Sequence, residues 1–212
     1  MTQSKRWLQE HERDLYVKRA KKEGYASRAA FKLLEMHKKC KLFRPGMAVV
    51  DLGAAPGGWS QVAKKLVGPK GLVVAFDLLP MQPISGVEFI WRDFNEAETF
   101  NQLNEVIHKK TKEGQVDLVI SDMAPNISGM KSIDQPKSLH LVELAWYCAQ
   151  KFLLIGGGFL AKVFQGSGVD VFLTDLRPYF KHVKLLKPSS SRARSSEIYI
   201  LATKFLGYNQ QV

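Results

Sequence analysis

Short apolar runs alternate along the chain with longer segments in which apolar residues recur at helical spacing. Glycine, proline and other turn-forming residues bound the short runs, as is typical of buried strands. Strands separated by helical segments favour a parallel sheet with helices packed against it. The runs that form this alternation are 47–52, 71–78, 87–94, 116–123 and 157–164.

Two segments are the clearest predicted helices. The first covers 27–42, with Ser27 predicted as its N-terminal cap. The second covers 135–158, beginning near Pro136 and ending in glycines. Both lie beside predicted strands, so we expect them to cover the sheet.

The ends of the chain differ from its middle. Apolar runs at 182–187 and 196–205 are joined by a Ser/Arg-rich loop, 188–195, which predicts an antiparallel pair at one edge of the sheet. Residues 1–24 are rich in basic side chains and are predicted to be a basic N-terminal extension. The remainder, 25–212, is predicted to be a single domain.

The charge balance indicates a partner with dense negative charge. The chain has 212 residues, 45% of them hydrophobic, and a formal net charge of +11. Nucleic acid is the first candidate, and an anionic membrane surface is the second. No apolar run reaches the length of a bilayer span, and residues 1–16 lack a signal-peptide core, so we expect a cytoplasmic protein with no membrane partner.

Cysteine and histidine usage does not predict a metal site. Cys40 and Cys148 are far apart and outside any C-x-x-C spacing, so neither a thiolate site nor a disulfide framework is expected. The five histidines show no H-x-H or H-E-x-x-H spacing. We therefore expect no metal cofactor.

The segment DLGAAPGGWS, residues 51–60, follows the first apolar run and predicts a ligand-binding loop. Ligands of open α/β sheets bind beyond the carboxyl ends of strands, where small residues let the main chain come close. The loop has no lysine for a phosphate-binding P-loop, and its glycine spacing does not match a dinucleotide fingerprint. The class of ligand that remains possible for this loop is one that contains a nucleoside but no pyrophosphate.

Acidic residues at the ends of successive strands reduce the number of candidate ligands further. Asp77 follows the second run, where a carboxylate can accept hydrogen bonds from ribose hydroxyls, and Asp93 follows the third, where it could accept from an exocyclic amine. Any one of these acids could be a loop cap. Together with Asp51 they indicate S-adenosylmethionine, whose sulfonium favours nearby negative charge.

Asp122 and Lys162 indicate which chemical group would accept the methyl group of S-adenosylmethionine. Asp122 ends the fourth run, and the segment DMAPN has no aromatic residue to stack on a flipped base. Neither cysteine lies at a strand end, which disfavours methylation of a base carbon. Lys162 lies within the apolar fifth run, where a lysine is costly without a function. A hydroxyl acceptor, which must lose a proton, fits these residues best.

Several motifs resemble the RrmJ/FtsJ family of RNA ribose 2'-O-methyltransferases. The segments that carry the resemblance are DLGAAPGGWSQ, SDMAPN, AKVFQG and SSEIYI, with SRAAFKL before the sheet. The resemblance implies a Rossmann-like S-adenosylmethionine-dependent methyltransferase fold. In that fold, a seven-stranded, mostly parallel sheet has one antiparallel strand and helices on both faces.

The resemblance also implies roles for individual residues. A catalytic tetrad falls on Lys32, Asp122, Lys162 and Glu197. Cofactor contacts fall on Gly57, Trp59, Asp77, Asp93 and Asp122. Lys162 is the expected proton acceptor, although an alternative in which it only holds and polarises the hydroxyl stays open.

The implied substrate is a uridine ribose in large-subunit (23S) ribosomal RNA, with the protein acting as a monomer on RNA within the large ribosomal subunit. Alternatives are the same chemistry on transfer RNA or a messenger cap, and a non-catalytic RNA-binding assembly factor. Two basic segments, 18–28 and 187–196, bracket tetrad residues and are predicted to contact RNA phosphates, with Trp7 or Tyr25 stacking on a base. The polar connection 126–138 is predicted to be a mobile loop.

Overall fold

The computed structural model describes residues 14–92, 97–192 and 195–207, with the side chains of 97–99 left out. Helices and strands alternate along the chain, and a short 3₁₀ turn, Arg177–Tyr179, precedes the sixth strand. The elements are α1 (Leu15–Glu23), α2 (Ala29–Cys40), β1 (Ala48–Leu52), α3 (Gly58–Val67), β2 (Leu72–Asp77), β3 (Glu88–Trp91), α4 (Ala97–Lys110), β4 (Val116–Ser121), α5 (Lys131–Phe152), β5 (Leu153–Phe164), α6 (Val169–Leu176), β6 (Phe180–Leu186) and β7 (Glu197–Phe205).

The strands form a seven-stranded sheet in the order β3-β2-β1-β4-β5-β7-β6. The pairings from β3 through β5 are parallel, whereas β7 is antiparallel to both of its neighbours, β5 and β6. The predicted sheet with one antiparallel strand is therefore confirmed. The order reverses between β1 and β4, which is where ligands of open α/β sheets bind.

Helices cover both faces of the sheet, as predicted. On one face, α2 and α3 pack against alternate strand residues such as Val49, Ile120 and Leu160. On the other face, α4, α5 and α6 pack against the intervening residues, including Val50 and Val119. This alternation follows from the period of two along a strand, which sends successive side chains to opposite faces.

Two predicted helix boundaries were wrong. Arg28, not Ser27, occupies the N-cap position of α2, and it makes no side-chain capping bond. The longer helix, α5, begins at Lys131 rather than near Pro136, so the second half of the predicted loop 126–138 is helical. Asp134 explains this early start, because its carboxylate accepts hydrogen bonds from Ser128 and Gly129 and ties the preceding turn to the helix.

The end of α5 also differs from the prediction. The helix stops at Phe152, and β5 begins at the next residue, Leu153. The glycines that were expected to end the helix, 156–158, lie inside the strand instead. A strand start can be buried as deeply as a helix end, so the apolar pattern alone did not separate the two.

The basic segment before residue 25 contains a helix, α1, that packs against α2. Val17 and Ala20 are buried, and the ring of Tyr16 lies 5.6 Å from that of Phe31. A domain boundary after residue 24 stays a prediction. Within the described part of the chain, no helix combines the length and the apolar character needed to cross a membrane.

Candidate active site

The loop between β1 and α3 requires glycine at two positions. Gly53 has φ of 73°, and a Cβ there would lie 2.4 Å from Cγ of Met123. Gly57 has φ of 108°, and a Cβ there would lie 2.8 Å from Cδ1 of Ile84. Both residues adopt a backbone conformation that other residues rarely adopt. The loop therefore holds the main chain against the β4 and β2 connections at the carboxyl edge of the sheet.

A cavity of about 790 Å³ opens beside Gly53 at this edge. This size is suited to a nucleoside-sized ligand. Its wall is mostly apolar, and two of its leucines are unusually exposed for their size, Leu78 at 60% and Leu79 at 61%. Lining residues from the β2 and β4 ends include Phe76, Asp77, Met123, Pro125 and Asn126.

Asp77 lies on the wall of this cavity, at the end of β2. One of its carboxylate oxygens accepts a hydrogen bond from the Ala55 amide at 2.7 Å, and the other accepts from the Leu79 amide at 2.7 Å. These bonds fix the carboxylate, and each oxygen keeps a lone pair for a further donor. The predicted position of Asp77 beside a ligand is thus geometrically available.

Trp59 does not face the cavity with its side chain. The indole is only 2% exposed, packs against the ring of Tyr199 at 5.8 Å, and donates to the Ala29 carbonyl at 2.9 Å. What Trp59 offers a ligand is its main-chain N–H in the first turn of α3, where amides lack helical acceptors. Asp93, the other predicted cofactor contact on this side, lies outside the described residues.

Asp51 is the most deeply buried acid at this edge. Its side chain is 0% exposed, and the Ser60 hydroxyl donates to one oxygen at 2.6 Å. Within the described part of the chain, the other oxygen has no hydrogen-bond partner. Burial raises the pKa of Asp51 to about 7, the carboxylates of Asp122 and Asp77 act in the same direction, and the Ser60 hydroxyl opposes them.

All four residues of the predicted tetrad meet on the other side of Asp122. The Lys162 ammonium donates to the Asp122 carbonyl at 2.6 Å and lies 3.1 Å from Asp122 Oδ1. Lys162 Nζ is also 3.8 Å from Glu197 Oε1, while the Lys32 ammonium donates to Glu197 Oε2 at 2.9 Å. The side chains form one chain of alternating charge that runs from Asp122 to Lys32.

Different elements bring the four residues together. Lys32 is on α2, Asp122 directly follows β4, Lys162 is near the end of β5, and Glu197 begins β7. Strands β4 and β5 are parallel neighbours, and β5 pairs with β7, with Phe164 opposite Glu197. This order explains why residues far apart in sequence share one edge of the sheet.

The charges within the tetrad control the protonation of Glu197. Burial alone would raise its pKa, but the ammonium groups of Lys32 and Lys162 outweigh burial and lower the pKa of Glu197 below its ordinary value. The carboxylate is thus kept ionised at neutral pH.

Tyr199 completes the cluster and was not predicted from the sequence. Its side chain is 0% exposed, its hydroxyl donates to Asp122 Oδ1 at 2.9 Å, and Lys32 Nζ lies 5.7 Å from its ring centroid. Burial raises the pKa of Tyr199 well above its ordinary value, with Asp122 and Glu197 acting in the same direction, so the hydroxyl stays a donor at neutral pH. The signal was its position two residues after Glu197, which puts both side chains on one face of β7.

A second cavity, of about 640 Å³, opens from the tetrad toward the surface. Lys32 and Glu197 line its inner end, and Arg28 and Arg192 line its wall. Asp14 pairs with the Arg28 guanidinium, and Arg192 Nε lies 3.7 Å from the same carboxylate. Basic side chains from both predicted RNA-contacting segments therefore converge beside the tetrad, although Arg194 lies outside the described residues.

Comparisons with known proteins agree with this geometry. The sheet order, with β7 antiparallel between β5 and β6, is that of a Rossmann-like methyltransferase. A family model described as FtsJ-like methyltransferase matches residues 25–205. The chain belongs to the FtsJ-like methyltransferase family.

Individual relatives cover all or most of the chain. A Coxiella burnetii protein named "Ribosomal RNA large subunit methyltransferase E" is 74% identical over 212 residues, which is 100% of each chain. A Cellvibrio japonicus protein of the same name is 53% identical and covers 96% of this chain and 95% of its own. Among solved structures, a Plasmodium falciparum protein described as a ribosomal RNA methyltransferase is 28% identical, with a TM-score of 0.76 over 87% of this chain and 100% of its own.

Proposed function

We propose that this protein transfers a methyl group from S-adenosylmethionine to the ribose 2'-hydroxyl of a uridine in 23S ribosomal RNA. The names of the full-length relatives support large-subunit ribosomal RNA as the substrate. The observation that carries the proposal is the position of Lys162 Nζ at the carboxyl edge of the sheet, 3.1 Å from Asp122 Oδ1 and 3.8 Å from Glu197 Oε1. Glu197 lines the smaller cavity, and Met123, the residue after Asp122, lines the larger one.

The residues of the larger cavity fit S-adenosylmethionine. Its apolar wall suits an adenine ring, and the fixed carboxylate of Asp77 can accept hydrogen bonds from ribose hydroxyls. Gly57, the main-chain N–H of Trp59 and the first turn of α3 would hold the amino-acid end of the cofactor, while Asp122 would adjoin its reactive end. Asp93 stays a proposed contact. The cofactor, when bound, supplies an electrophilic methyl group.

The tetrad supplies alignment and proton removal. In the proposal, Lys162 first releases its ammonium proton to solvent and then, as a neutral amine, accepts the proton of the 2'-hydroxyl, and the carboxylates of Asp122 and Glu197 stabilise the ammonium ion that results. Lys32 holds Glu197 through its 2.9 Å bond, and Tyr199 holds Asp122 through its own. Alignment of the reacting groups is worth about 7 to 11 kcal/mol, and general-base help adds roughly 10² to 10⁴ in rate.

The smaller cavity would receive the target nucleotide. Its guanidinium groups, from Arg28 and Arg192, are suited to RNA phosphates, and Lys32 and Glu197 lie at its inner end. We propose that the protein acts as a cytoplasmic monomer on RNA within the large ribosomal subunit, without a metal.

The decisive experiment maps ribose methylation on ribosomal RNA from cells that lack the protein. We expect one 2'-O-methyluridine of the large-subunit RNA to be missing, restored by the wild-type gene and not by Lys162→Ala. A missing methyl group on transfer RNA or a messenger cap would move the substrate to another RNA. An unchanged methylation map, with defective subunit assembly, would instead favour a non-catalytic assembly factor.

A further inference from the structure

A third cavity, of about 660 Å³, lies at the far end of the sheet face that carries Tyr199. It is bounded by the end of α2, by the 3₁₀ turn before β6, and by the outer strands β6 and β7. His182 pairs with Thr203 and Lys184 pairs with Leu201 across the antiparallel ladder, so these side chains share the face of Tyr199. The polar residues that line the cavity are Cys40, Arg177, Lys181, His182, Lys184 and Thr203.

The charge of this cavity is positive and unneutralised. Its lining includes Arg177, Lys181 and Lys184, all exposed, and no carboxylate. Within the described ranges, none of these three side chains has an acidic partner within 4.0 Å. Lys38 and Lys41 are exposed on either side of Cys40 and extend the same positive surface. Such a surface is complementary to a dense array of phosphates.

The surface is rigidly connected to the tetrad, because two elements run from one to the other. Helix α2 carries Lys32 and Cys40, which are about 12 Å apart at a rise of 1.5 Å per residue. Strand β7 carries Glu197 and Thr203, which are about 20 Å apart at roughly 3.4 Å per residue. That span corresponds to about six nucleotides of a stacked strand. The surface therefore lies beyond the reach of the target nucleotide itself.

We propose that the distal basic surface, formed by Arg177, Lys181 and Lys184 with Lys38 and Lys41, binds the phosphate backbone of the ribosomal RNA that flanks the target. The inference rests on the proposed function, because it assigns a second contact to the same RNA. It implies that a folded RNA engages the protein at two places on one face, at the tetrad and about 20 Å away along β7. Sequence-independent phosphate contacts of this kind position a substrate without reading its bases.

The test removes charge from this surface and measures RNA affinity. In Arg177→Gln/Lys184→Gln, we expect binding of an in vitro transcript of the target domain of 23S RNA to weaken about 8- to 60-fold at 0.1 M salt, corresponding to one or two lost phosphate contacts. The slope of log K against log salt should become shallower by about 0.9 to 1.8. Binding of a five-nucleotide RNA that carries the target uridine should be unchanged, since it is too short to reach the surface.

Two further variants serve as controls. Lys109→Gln/Lys112→Gln removes the same charge, from the last turn of α4 and from the bend that follows it, and should bind both RNAs as the wild type does, because α4 packs on the opposite face. Arg177→Lys/Lys184→Arg keeps the charge and should restore binding of the long transcript. Thermal unfolding of each variant checks that the edge strand β6 remains folded.

The possible outcomes separate the two proposals. If the wild type methylates the transcript but the Gln variant keeps its affinity and salt slope, the inference is overturned and the lysines only protect the sheet edge from aggregation. A loss confined to assembled subunits, with unchanged affinity for naked RNA, would identify a ribosomal protein as the partner and overturn it too. If the wild type neither binds nor methylates the transcript, the proposed function itself fails.

Discussion

Asp51 is a fully buried acid and Glu197 a half-buried acid at the carboxyl edge of the sheet, and their pKa values are shifted in opposite directions. Burial raises the pKa of Asp51 to about 7, and the carboxylates of Asp122 and Asp77 add to this effect of burial. Burial acts on Glu197 in the same direction, yet its pKa is lowered, because Lys32 and Lys162 lie within 4 Å. Depth and the charges that face each acid together decide its protonation.

The two acids mark two halves of one edge. In the described part of the chain, the half that contains Asp51 and Asp77 has acids without lysine partners and a mostly apolar cavity, which suits a ligand that brings its own positive charge. The half that contains Glu197 has lysines of its own, which suits a reaction that moves a proton. Asp122 lies at the boundary, and both halves depend on its position.

We expect the largest effect from a substitution of Lys162, which lies in the half of the edge that contains Glu197. Lys162→Ala should lower methyl transfer at least about 10³-fold, because the proposed proton acceptor is lost, while the dissociation constant for S-adenosylmethionine stays within about twofold. Single-turnover transfer of labelled methyl and calorimetric binding of the cofactor measure the two quantities.

Folding needs a separate check, because removing one partner of a buried ion pair is destabilising. Lys162→Arg keeps a positive charge beside Asp122 and Glu197, so its thermal midpoint should be closer to that of the wild type while its turnover stays low. Near-normal turnover in either variant would remove Lys162 from the mechanism.

The next prediction compares Asp51 with Glu197 through the pH dependence of protein stability. Native Asp51 holds its proton up to about pH 7, whereas the unfolded chain releases it near pH 4, so this residue costs stability as pH rises through that window. Asp51→Asn removes the cost. Relative to the wild type, its free energy of unfolding should rise by on the order of 3 kcal/mol between pH 4.5 and pH 8. Urea unfolding at both pH values measures this change.

Glu197→Gln provides the opposite control. The lowered pKa of Glu197 gives stability that is fully present above its unfolded pKa, near 4.5, and that is lost as pH falls further. The variant should therefore be less stable than the wild type at neutral pH and approach it in acid. If both variants showed the same pH trend, the contrast between the halves would be wrong.

A third prediction tests the half of the edge that contains Asp51 and Asp77, where the cofactor is proposed to bind. Asp77→Ala should raise the dissociation constant for S-adenosylmethionine by about 100-fold, because in the proposal its carboxylate accepts two charge-assisted hydrogen bonds from the ribose hydroxyls. Asp117→Ala is a matched control. Asp117 also accepts a main-chain N–H, that of Ala48 at 2.8 Å, but at the amino end of β1. It should lose stability and keep cofactor affinity. Unchanged cofactor affinity in Asp77→Ala would exclude the ribose contact.

The smallest expected effect concerns Tyr199, which holds the boundary residue Asp122. Tyr199→Phe removes one hydrogen bond to Asp122 Oδ1 and keeps the buried ring, so we expect about a tenfold loss of kcat/KM with little change in cofactor affinity. The pH profile of the rate should also shift, which a purely structural role would not cause. Tyr147→Phe, on the exposed side of α5, is the control. An unaltered pH profile and rate would limit Tyr199 to packing.

Much of the fold could be predicted because it depends on local periodicity. The strand runs that end at Asp77 and Asp122, and the antiparallel pair at the tail, follow from apolar runs bounded by turn residues. The boundaries of α5 could not be predicted in this way. The carboxylate of Asp134 caps the turn at 128–130 through a contact that periodicity does not encode.

The predicted tetrad is a different case. Its residue types came from a resemblance, and the structure brings all four within one network of contacts. The indole of Trp59 shows the limit of this approach, because the motif identified a residue whose side chain packs inside the sheet face. Position in a motif does not specify which atoms of a residue reach the ligand.

The sequence by itself determined the alternation of strands and helices, the glycine turn and the excess of positive charge, since each depends on neighbours along the chain. Only the tertiary structure decided that Lys32 and Glu197, 165 positions apart, form an ion pair, and that Tyr199 donates to Asp122. It also decided that Asp51 faces acids while Glu197 faces lysines. Electrostatic environment depends on distance in space, and the packing of the sheet sets that distance.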